Sequence, residues 1–548
     1  MCPSHRIRAH RVTSATVRTS GFVRAPAPAR QLDEVAAHLG ATVHQPGSAS
    51  DPLVTGITLN SRSVQPGDLY VALPGAHTHG ARYAADAAGN GAVAVLTDVD
   101  GAGMAVEAGL PVLVMPAPRE HLGDVAAWLF GYPATQLTMF GVTGTNGKTT
   151  TTFLLDSALR QGGWVTGMVG TVQTRIAGDV QDSVRTTPEA TDLQALLAAM
   201  VHSGARACSM EVSSHALALS RVDGIVFDVA GFTNLSQDHL DFHPTMTDYF
   251  AAKAQLFTPA HARRGVVCVD DDWGQQLARQ AQIPVVTLAT AGPCATDPDW
   301  SVTDRRPDGG GTRFTLQGPV SVQVAARCPL PGDFNVANTA LALVMMAESG
   351  VDLADAAAWM SDAESVPGRM QQVTGLGAAG EPLAVVDYAH TPDAVAAAAR
   401  ALRDRGSPLV VVLGAGGDRD RQKRPLMGAA AAGVADIVIV TDDNPRSEDP
   451  AAIRASVLAG ARAAAGPAVT VTEIEGRAGA IAQAVRLAWG GGTVLLAGKG
   501  HERGQEIAGV VHRFDDRAVL ADALKRGVPG QPIETESANG TSSLEGQT

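Results

Sequence analysis

Short apolar runs alternate with longer alanine-rich segments along most of this chain. Between about residues 53 and 137 the apolar runs are DLYVAL, AVAVLTD and LPVLVM, and helical patterns separate them. Strands of this length that alternate with helices are typical of α/β folds. We therefore predict a small N-terminal α/β domain over residues 32–137.

A second group of elements follows directly. The run QLTMFGVTG predicts a buried strand, and TTTFLLDSALRQGG predicts a helix that ends at glycine. RACSMEVS and GIVFDVAGFTN predict further strands, and FNVANTALALVMMAESG predicts a closing helix. We assign these elements to a central domain over residues 138–365.

The third region alternates most regularly. LAVVDYA, PLVVVLGAGG, DIVIVTDD and TVLLAGKG predict strands that Ala-rich helices separate, which indicates a parallel sheet over residues 366–530. Open α/β sheets bind ligands beyond the carboxyl ends of their strands. We therefore expect function in the loops GAGGDRDRQKRP, TDDNPRSEDP and AGKGHERGQE.

Length and composition limit the class of protein. A chain of 548 residues exceeds one hydrophobic core. The net charge of -13 disfavours nucleic acid as a partner, and no apolar run is long enough for membrane insertion. Five scattered cysteines favour a reducing cytoplasm. We predict that residues 1–31, rich in arginine, form a disordered basic extension or follow a misplaced start codon, and that residues 531–548 form a disordered tail.

The stretch GVTGTNGKTT, Gly141 to Thr150, lies between a predicted strand and a predicted helix. Backbone N–H groups of such a turn can hold phosphate oxygens, while Lys148 supplies charge and Thr149 an oxygen for Mg²⁺. Val142 stands where the ordinary phosphate loop has its first glycine, and the glycine is at Gly144 instead. The alternative is an incidental glycine turn.

Acidic and imidazole side chains follow two of the central strands. Glu211 ends one strand, and TNLSQDHLDFHP after another strand contains the candidates Asp238, His239, Asp241 and His243. Such groups near a phosphate loop suit a divalent metal held partly by ATP oxygens. They could instead cap helices and satisfy the core, and a zinc site from His239 and His243 lacks an obvious third ligand.

The loop TGTNGKT resembles the ATP loop of the Mur ligases and the related folylpolyglutamate synthetases. The resemblance to Mur ligases covers residues 32–530 and implies a three-domain α/β architecture, with a small N-terminal domain, a central P-loop ATPase-like domain and a C-terminal Rossmann-like domain. It also implies an ATP- and Mg²⁺-dependent enzyme that forms amide bonds through acyl phosphates. The implied ATP contacts are Gly144, Thr145, Asn146, Gly147, Lys148, Thr149, Thr150, Asn335, Asn338 and Asp387.

The resemblance also implies a metal and catalytic group. Glu211 and His239 match positions that bind a second Mg²⁺ beside Thr149, and Lys253 in YFAAKAQLF matches a lysine that is carbamylated in the family. Lys148 completes the implied catalytic set, and His215 either handles protons or has a structural role. Without the family, Lys253 would be taken for a solvated residue.

Two further groups of residues match substrate positions. The segments LNSRSVQPGDLYVAL, RTTPE and SSHALALSRV imply contacts with a UDP-muramoyl dipeptide, and DDNPR implies selection of meso-diaminopimelate. The dipeptide contacts are Leu59, Ser61, Thr186, Thr187, Ser213, Leu219 and Arg221, with Leu219 standing where a polar residue often occurs; the diaminopimelate contacts are Arg419, Asp443, Asn444, Pro445, Arg446, Gly498 and Glu502.

The chemistry of Arg446 supports this selection. A guanidinium binds a carboxylate through two hydrogen bonds, and diaminopimelate carries a distal carboxylate that lysine lacks. The implied activity is addition of meso-diaminopimelate to UDP-N-acetylmuramoyl-L-alanyl-D-glutamate in peptidoglycan precursor synthesis, by a cytoplasmic monomer. A lysine-adding Mur ligase, a folylpolyglutamate synthetase or a P-loop switch are the alternatives, and Asn-Pro-Arg could be only a turn before a helix.

Overall fold

The N-terminal part of the chain forms a five-stranded sheet in the order β2-β7-β6-β5-β4, parallel except for β2. The computed structural model describes residues 24, 27–44, 51–75, 77–183, 185–291, 297–308, 311–375, 379–403, 405 and 407–526. The elements of this part are β1 Arg30–Gln31, α1 Leu32–Leu39, β2 Thr42–His44, β3 Leu53–Val54, β4 Gly56–Thr58, β5 Asp68–Ala72, α2 Ala84–Gly89, β6 Ala94–Thr97, α3 Val99–Val106, β7 Val112–Val114 and α4 Leu122–Leu129.

The central part forms an eleven-stranded sheet in the order β11-β10-β9-β12-β8-β13-β14-β15-β16-β17-β18. Strands β9 to β16 in this order run parallel, and antiparallel strands flank them. The elements are β8 Thr138–Thr143, α5 Lys148–Gln161, β9 Thr166–Val169, β10 Gln173–Ile176, β11 Asp179–Asp182, α6 Ala190–His202, β12 Ala207–Glu211, α7 Ser214–Ala218, β13 Phe227–Phe232, α8 Met246–Ala254, β14 Ala262–Cys268, α9 Asp272–Gln280, β15 Val285–Ala289, β16 Trp300–Asp308, β17 Gly311–Gln317, β18 Gln323–Cys328, α10 Asp333–Glu348 and α11 Leu353–Ser361.

The C-terminal part forms a six-stranded sheet in the order β19-β20-β24-β21-β22-β23, parallel except for β19. A separate hairpin, β25-β26, follows the last sheet strand. The elements are β19 Gln371–Val373, β20 Leu383–Asp387, α12 Pro392–Leu402, β21 Leu409–Leu413, α13 Lys423–Ala432, β22 Ile437–Val440, α14 Pro450–Ala464, β23 Thr470–Glu473, α15 Arg477–Ala488, β24 Thr493–Ala497, β25 Gly504–Ile507, β26 Val510–Arg513 and α16 Asp516–Arg526.

The sheets have apolar cores on both faces, which explains why their strands are nearly continuous apolar runs. In β8, Phe140 and Val142 pack in the core that contains α5 and α10, while Met139 packs in the core on the other face. In β21, Val411 and Val410 likewise enter opposite cores. Every apolar run quoted above as a strand is a strand in the structure, so the predicted α/β class and parallel C-terminal sheet are confirmed.

Ordered contacts begin upstream of residue 32, where the predicted first domain starts. Arg24 donates to the backbone oxygen of Ile57 and pairs with Asp68, and β1 pairs with β3. Residues 1–23 of the predicted extension, and the tail at 531–548, lie outside the described residues. The predicted boundaries at 137/138 and 365/366 fall between the three sheets. Among the helices of the described ranges, none has both the length and the apolarity that a membrane crossing requires.

Candidate active site

The phosphate loop joins β8 to the N-terminus of α5, as its sequence predicts. Gly147 precedes the helix with φ +92°, and a Cβ there would lie 2.3 Å from the Asn338 side-chain oxygen. Gly144 has φ +142°, and a Cβ there would lie 1.9 Å from the Thr233 hydroxyl. Both positions exclude a side chain, so the loop backbone lies directly against two neighbouring elements.

Two lysine ammonium groups meet on this loop. Lys148 donates to the backbone oxygens of Gly144 and Thr145, at 2.9 Å each, and Lys253 donates to the same Gly144 oxygen at 2.8 Å. Lys253 is 1 % exposed and lies 4.5 Å from the centre of the Tyr249 ring. Burial lowers the pKa of both lysines, and for Lys253 the charge of Lys148 lowers the pKa further. The two lysine nitrogens thus meet at one backbone oxygen of the loop, where burial disfavours two positive charges side by side.

Glu211 lies beside the start of α5, at the carboxyl end of β12. Its carboxylate accepts a hydrogen bond from the Thr149 hydroxyl at 2.9 Å, and from the backbone N–H and hydroxyl of Thr171 at 2.6 and 3.0 Å. A carboxylate and a hydroxyl are oxygen ligands of the kind that Mg²⁺ prefers. The donor set of Thr149 and Glu211 thus fits Mg²⁺ that is also held by phosphate oxygens.

Aromatic and imidazole rings pack together beside Tyr249. His215 stacks on Phe242 with ring centres 4.1 Å apart, and His239 meets the His215 ring edge-on at 5.0 Å. His243 is buried and its Nε2 lies 2.9 Å from the Ser214 hydroxyl. Burial lowers the pKa of all three histidines.

His243 and His239, both predicted as candidate ligands, have different surroundings in the structure. The contact with Ser214 gives His243 a structural partner, whereas His239, with φ +55°, is held in a left-handed conformation that side chains rarely adopt. Asp238 accepts the backbone N–H of His239 at 2.9 Å and its carboxylate lies 3.6 Å from the ring. In the described part of the chain, no three His, Cys, Asp or Glu side chains form a metal-binding group.

The residues predicted to bind the dipeptide fall in two places. The Thr186 hydroxyl lies 3.0 Å from the Thr171 hydroxyl. Thr187 donates to the Glu211 backbone oxygen at 2.8 Å and its hydroxyl lies 3.3 Å from that of Ser213, so Thr186, Thr187 and Ser213 lie beside Glu211. Leu219 ends α7. Leu59 and Ser61 lie instead in the N-terminal domain, where Leu59 follows β4 and Ser61 begins the short helical turn after it.

Three of the implied ATP contacts, Asn335, Asn338 and Asp387, are hydrogen-bonded within the protein. Asn335 and Asn338 are buried on α10 and are hydrogen-bonded to each other at 3.2 Å. The Asp387 carboxylate accepts the backbone N–H groups of Met370 and Ala389 at 2.6 and 2.9 Å, and burial raises its pKa. Their contact with a nucleotide stays a prediction.

Three loops of the C-terminal sheet meet because they follow the neighbouring strands β24, β21 and β22. Asn444 donates to the Glu502 carboxylate at 2.7 Å, which joins the loops after β22 and β24. Gly498, with φ +114°, is so close to Asp443 that a Cβ would lie 2.5 Å from its carboxylate. The structure therefore brings these four predicted residues together.

Arg446 extends this group to the loop after β21. Its Nη1 donates to the Gly417 backbone oxygen at 2.7 Å, and its Nε lies 3.6 Å from Glu506. It has φ +52°, a strained conformation for a side-chain-bearing residue. Pro445 lies against Gly417, where a Cβ would be 1.9 Å from the Pro445 oxygen, and Arg419 is exposed on the same loop.

Models of Mur ligase domains match all three parts of the chain. The Mur ligase family catalytic domain matches residues 53–128, the Mur ligase middle domain residues 142–346, and the Mur ligase glutamate ligase domain residues 368–500.

Curated relatives extend over nearly the whole chain. The UDP-N-acetylmuramoyl-L-alanyl-D-glutamate–2,6-diaminopimelate ligase of Streptomyces avermitilis is 51% identical over 509 residues, which cover 91% of this chain and 99% of the relative. The ligase of the same name from Streptomyces coelicolor is 52% identical over 91% of this chain and 97% of its own. The UDP-N-acetylmuramyl-tripeptide synthetase of Leifsonia xyli is 49% identical over 90% and 96%. The chain belongs to the Mur ligase family.

Solved structures agree with this membership. A UDP-N-acetylmuramoyl-L-alanyl-D-glutamate–2,6-diaminopimelate ligase superposes with a TM-score of 0.63 at 31% identity, over 91% of this Mur ligase and 99% of that chain. A folylpolyglutamate synthase from Mycobacterium tuberculosis, complexed with ADP and AMPPCP, has a TM-score of 0.54 at 18% identity, over 75% and 95%. That second likeness shows the shared fold alone. The predicted family and three-domain architecture are confirmed.

Sequence reasoning missed an arginine at the site of this Mur ligase. Arg369, at the start of the C-terminal domain, donates to the Thr149 hydroxyl at 3.2 Å and lies 4.3 Å above the Tyr388 ring. Its neighbour Gly368 lies so close to His501 that a Cβ would be 2.1 Å from the His501 nitrogen. The sequence offers only the Gly-Arg pair in VPGRM, at the start of the C-terminal domain, as a signal.

Sequence reasoning also missed Glu189. Arg221, a predicted dipeptide contact, donates to Glu189 at 2.8 Å. Arg185 pairs with the same carboxylate, and Arg119 reaches it at 3.3 Å from the N-terminal domain. One carboxylate thus holds three arginines at the junction of two domains, and a net positive charge remains.

Proposed function

We propose that this Mur ligase adds meso-diaminopimelate to UDP-N-acetylmuramoyl-L-alanyl-D-glutamate at the expense of ATP. The observation that carries the proposal is the group of Asn444, Glu502 and Arg446 in the C-terminal domain, where carboxylate, amide and guanidinium lie together. Such a set matches an amino acid with ammonium and carboxylate groups at both ends. The names of the relatives from both Streptomyces species agree with this substrate pair.

ATP would place its phosphates on the loop from Gly144 to Thr150. The loop N–H groups and the N-terminus of α5 favour an anion there, and Lys148 and Arg369 add charge. Thr149 and Glu211 would hold Mg²⁺, with His239 as the further candidate ligand. Bound Mg²⁺ supplies charge stabilisation for the phosphate oxygens.

The first chemical step forms an acyl phosphate. An oxygen of the D-glutamyl γ-carboxylate attacks the γ-phosphorus of ATP, the bond to the β-phosphate oxygen breaks, and ADP leaves with that electron pair. Lys148 is positioned to stabilise the charge of the transferred phosphoryl group, because its ammonium is held within the loop at Gly144 and Thr145. Arg221 would hold the peptide substrate, and Glu189 holds Arg221 in place.

The second step forms the amide. An amine of diaminopimelate attacks the acyl carbonyl, a tetrahedral intermediate forms, and phosphate leaves as the amine loses its proton. Arg446 would bind the distal carboxylate of the incoming amino acid, and Glu502 and Asp443 would bind its distal ammonium. His215 is a candidate for proton handling, because burial beside His239 lowers its pKa and leaves the ring neutral. Acyl phosphates hydrolyse readily, so closure of the domains would exclude water.

The environment of Lys253 favours carbamylation. Burial and the charge of Lys148 hold its pKa well below the ordinary value, which favours the neutral amine. A neutral amine adds to carbon dioxide, forming a carbamate anion and releasing one proton. The carbamate would place a second anion beside the loop and the proposed Mg²⁺ ligands.

The decisive experiment measures phosphate release and amide formation together. The full chain is incubated with ATP, Mg²⁺ and UDP-muramoyl dipeptide, and meso-diaminopimelate, L-lysine or glutamate is added separately. We expect a new peptide product, detected by mass spectrometry, together with one phosphate per product, and a far higher rate with meso-diaminopimelate than with L-lysine or glutamate. Product with L-lysine instead would favour the lysine-adding alternative, and phosphate release that ignores both substrates would favour a P-loop switch.

A further inference from the structure

Lys499 is fully buried in the loop that follows β24, between two residues with positive φ, Gly498 and Gly500. Its ammonium donates to the Asn444 side-chain oxygen at 3.1 Å, to the Glu502 carboxylate at 3.2 Å and to the Gly504 backbone oxygen at 2.7 Å. All three donor positions of the ammonium are therefore used. A buried lysine is costly unless it is paired in this way.

These contacts fix which way the Asn444 amide faces. Its oxygen accepts from Lys499 and from the Glu506 backbone N–H at 3.1 Å, so its nitrogen must face the Glu502 carboxylate, where it donates at 2.7 Å. An amide in the opposite orientation would turn its N–H₂ group towards two donors. Lys499 and the Glu506 N–H together therefore determine which group Asn444 presents to a ligand, and Lys499 is the only one of the two donors that also holds Glu502.

Asp443, Glu502 and Lys499 together carry one more negative charge than positive charge. Asp443 and Glu502 are two carboxylates, and Lys499, 3.9 Å from Asp443, is the cation shared between them. Burial and the Asp443 charge raise the pKa of Glu502, whereas Lys499 opposes that rise. Tyr388 and Arg477 also interact electrostatically with Glu502. The remaining negative charge is suited to an ammonium group of the incoming amino acid.

We propose that Lys499 is a positioning residue that holds Asn444 and Glu502 in the arrangement required to bind the ammonium end of the amino-acid substrate. The inference rests on the proposed function, because it takes that substrate to bind at these loops. Lys499 itself is fully buried and would act through its two neighbours rather than by touching the substrate.

The test compares K499M with K499R. Methionine keeps the apolar volume and removes the charge, whereas arginine keeps the charge and is larger. The matched control is K525M, because Lys525 lies in the same domain with its side chain 53% exposed. Steady-state constants for meso-diaminopimelate, ATP and the dipeptide are measured for each variant, and circular dichroism monitors folding.

We expect K499M to raise the Michaelis constant for meso-diaminopimelate roughly 10- to 100-fold, since hydrogen bonds to charged groups are lost. The constant for ATP should stay within about twofold of wild type, K499R should be closer to wild type than K499M, and K525M should be unchanged. The defect of K499M should shrink as the pH rises, because without Lys499 the pKa of the Glu502 carboxyl rises further and the carboxyl loses its proton only at higher pH.

Two results would overturn the inference. One is a K499M constant equal to that of wild type; the other is a smaller defect in K499M than in K499R, as expected for a lysine that only fills space. If K499M does not fold, the same increase is required of K499Q. Wild-type protein that forms no amide would instead overturn the proposed function, so the two failures are distinguishable.

Discussion

Replacement of Arg446 tests the amino-acid selectivity most directly. The guanidinium is anchored by one bond, from Nη1 to the Gly417 oxygen at 2.7 Å, and Glu506 lies 3.6 Å from its Nε. This leaves the second N–H of Nη1 and the N–H₂ group of Nη2 to face a carboxylate. Its side chain is 23% exposed, so solvent screens the interaction only in part. R446A removes the guanidinium group. The alanine that replaces it disfavours positive φ as arginine does, so the backbone strain at this position is kept.

The expected magnitude follows from the bonds that are lost. Each hydrogen bond between charged groups contributes about 1.5–3 kcal/mol, and the partial exposure of Arg446 favours the lower value. Two bonds to the distal carboxylate then amount to about 3 kcal/mol, or roughly 100-fold in the Michaelis constant for meso-diaminopimelate. R446K, which keeps the charge without the planar fork, should lose roughly tenfold.

Initial rates at saturating ATP and dipeptide measure this effect. L-lysine lacks the distal carboxylate, so R446A should leave its constants unchanged and the preference for meso-diaminopimelate should fall by the same roughly 100-fold. R421A is the matched control, since Arg421 is 75% exposed on the neighbouring loop and pairs with Glu448. The reasoning is refuted if R446A keeps both the wild-type constant for meso-diaminopimelate and the wild-type preference over lysine.

Three further replacements test other parts of the molecule. E211Q should raise the Mg²⁺ concentration for half-maximal rate roughly 10- to 100-fold, because the carboxylate beside Thr149 is lost; an unchanged Mg²⁺ titration would contradict that role. K253M should lower kcat by about 100-fold, with partial recovery in added acetate, whereas full activity would exclude a carbamate function. R477M should lower the free energy of unfolding of the C-terminal domain in urea by about 3–5 kcal/mol, because it leaves the buried Asp516 carboxylate without its cation. The double variant with D516L should regain most of this loss.

The sequence predicted the elements whose signal is local. Strand β8 is an apolar run, and the glycine that precedes α5 marks the phosphate loop, so both could be located without coordinates. The parallel order predicts function in the loops after β21, β22 and β24 at one edge of a sheet, and the resemblance names Asn444 and Glu502 within these loops although 58 residues separate them. The family resemblance supplied the roles, which periodicity alone does not reveal.

The residues that were missed act across long separations in sequence. Arg369 reaches Thr149 from 220 residues away, and its pattern, an arginine after glycine in a linker, is common in loops. The sequence neighbours of Glu189 and Lys499 suggest that both side chains are exposed to solvent. In the folded protein, Glu189 lies among three arginines, and Lys499 is buried between two carboxylates. Glu189 and Lys499 matter because each neutralises part of the opposite charge that surrounds it. Such residues hold the groups that contact a ligand, and only the folded arrangement of those charges identifies them.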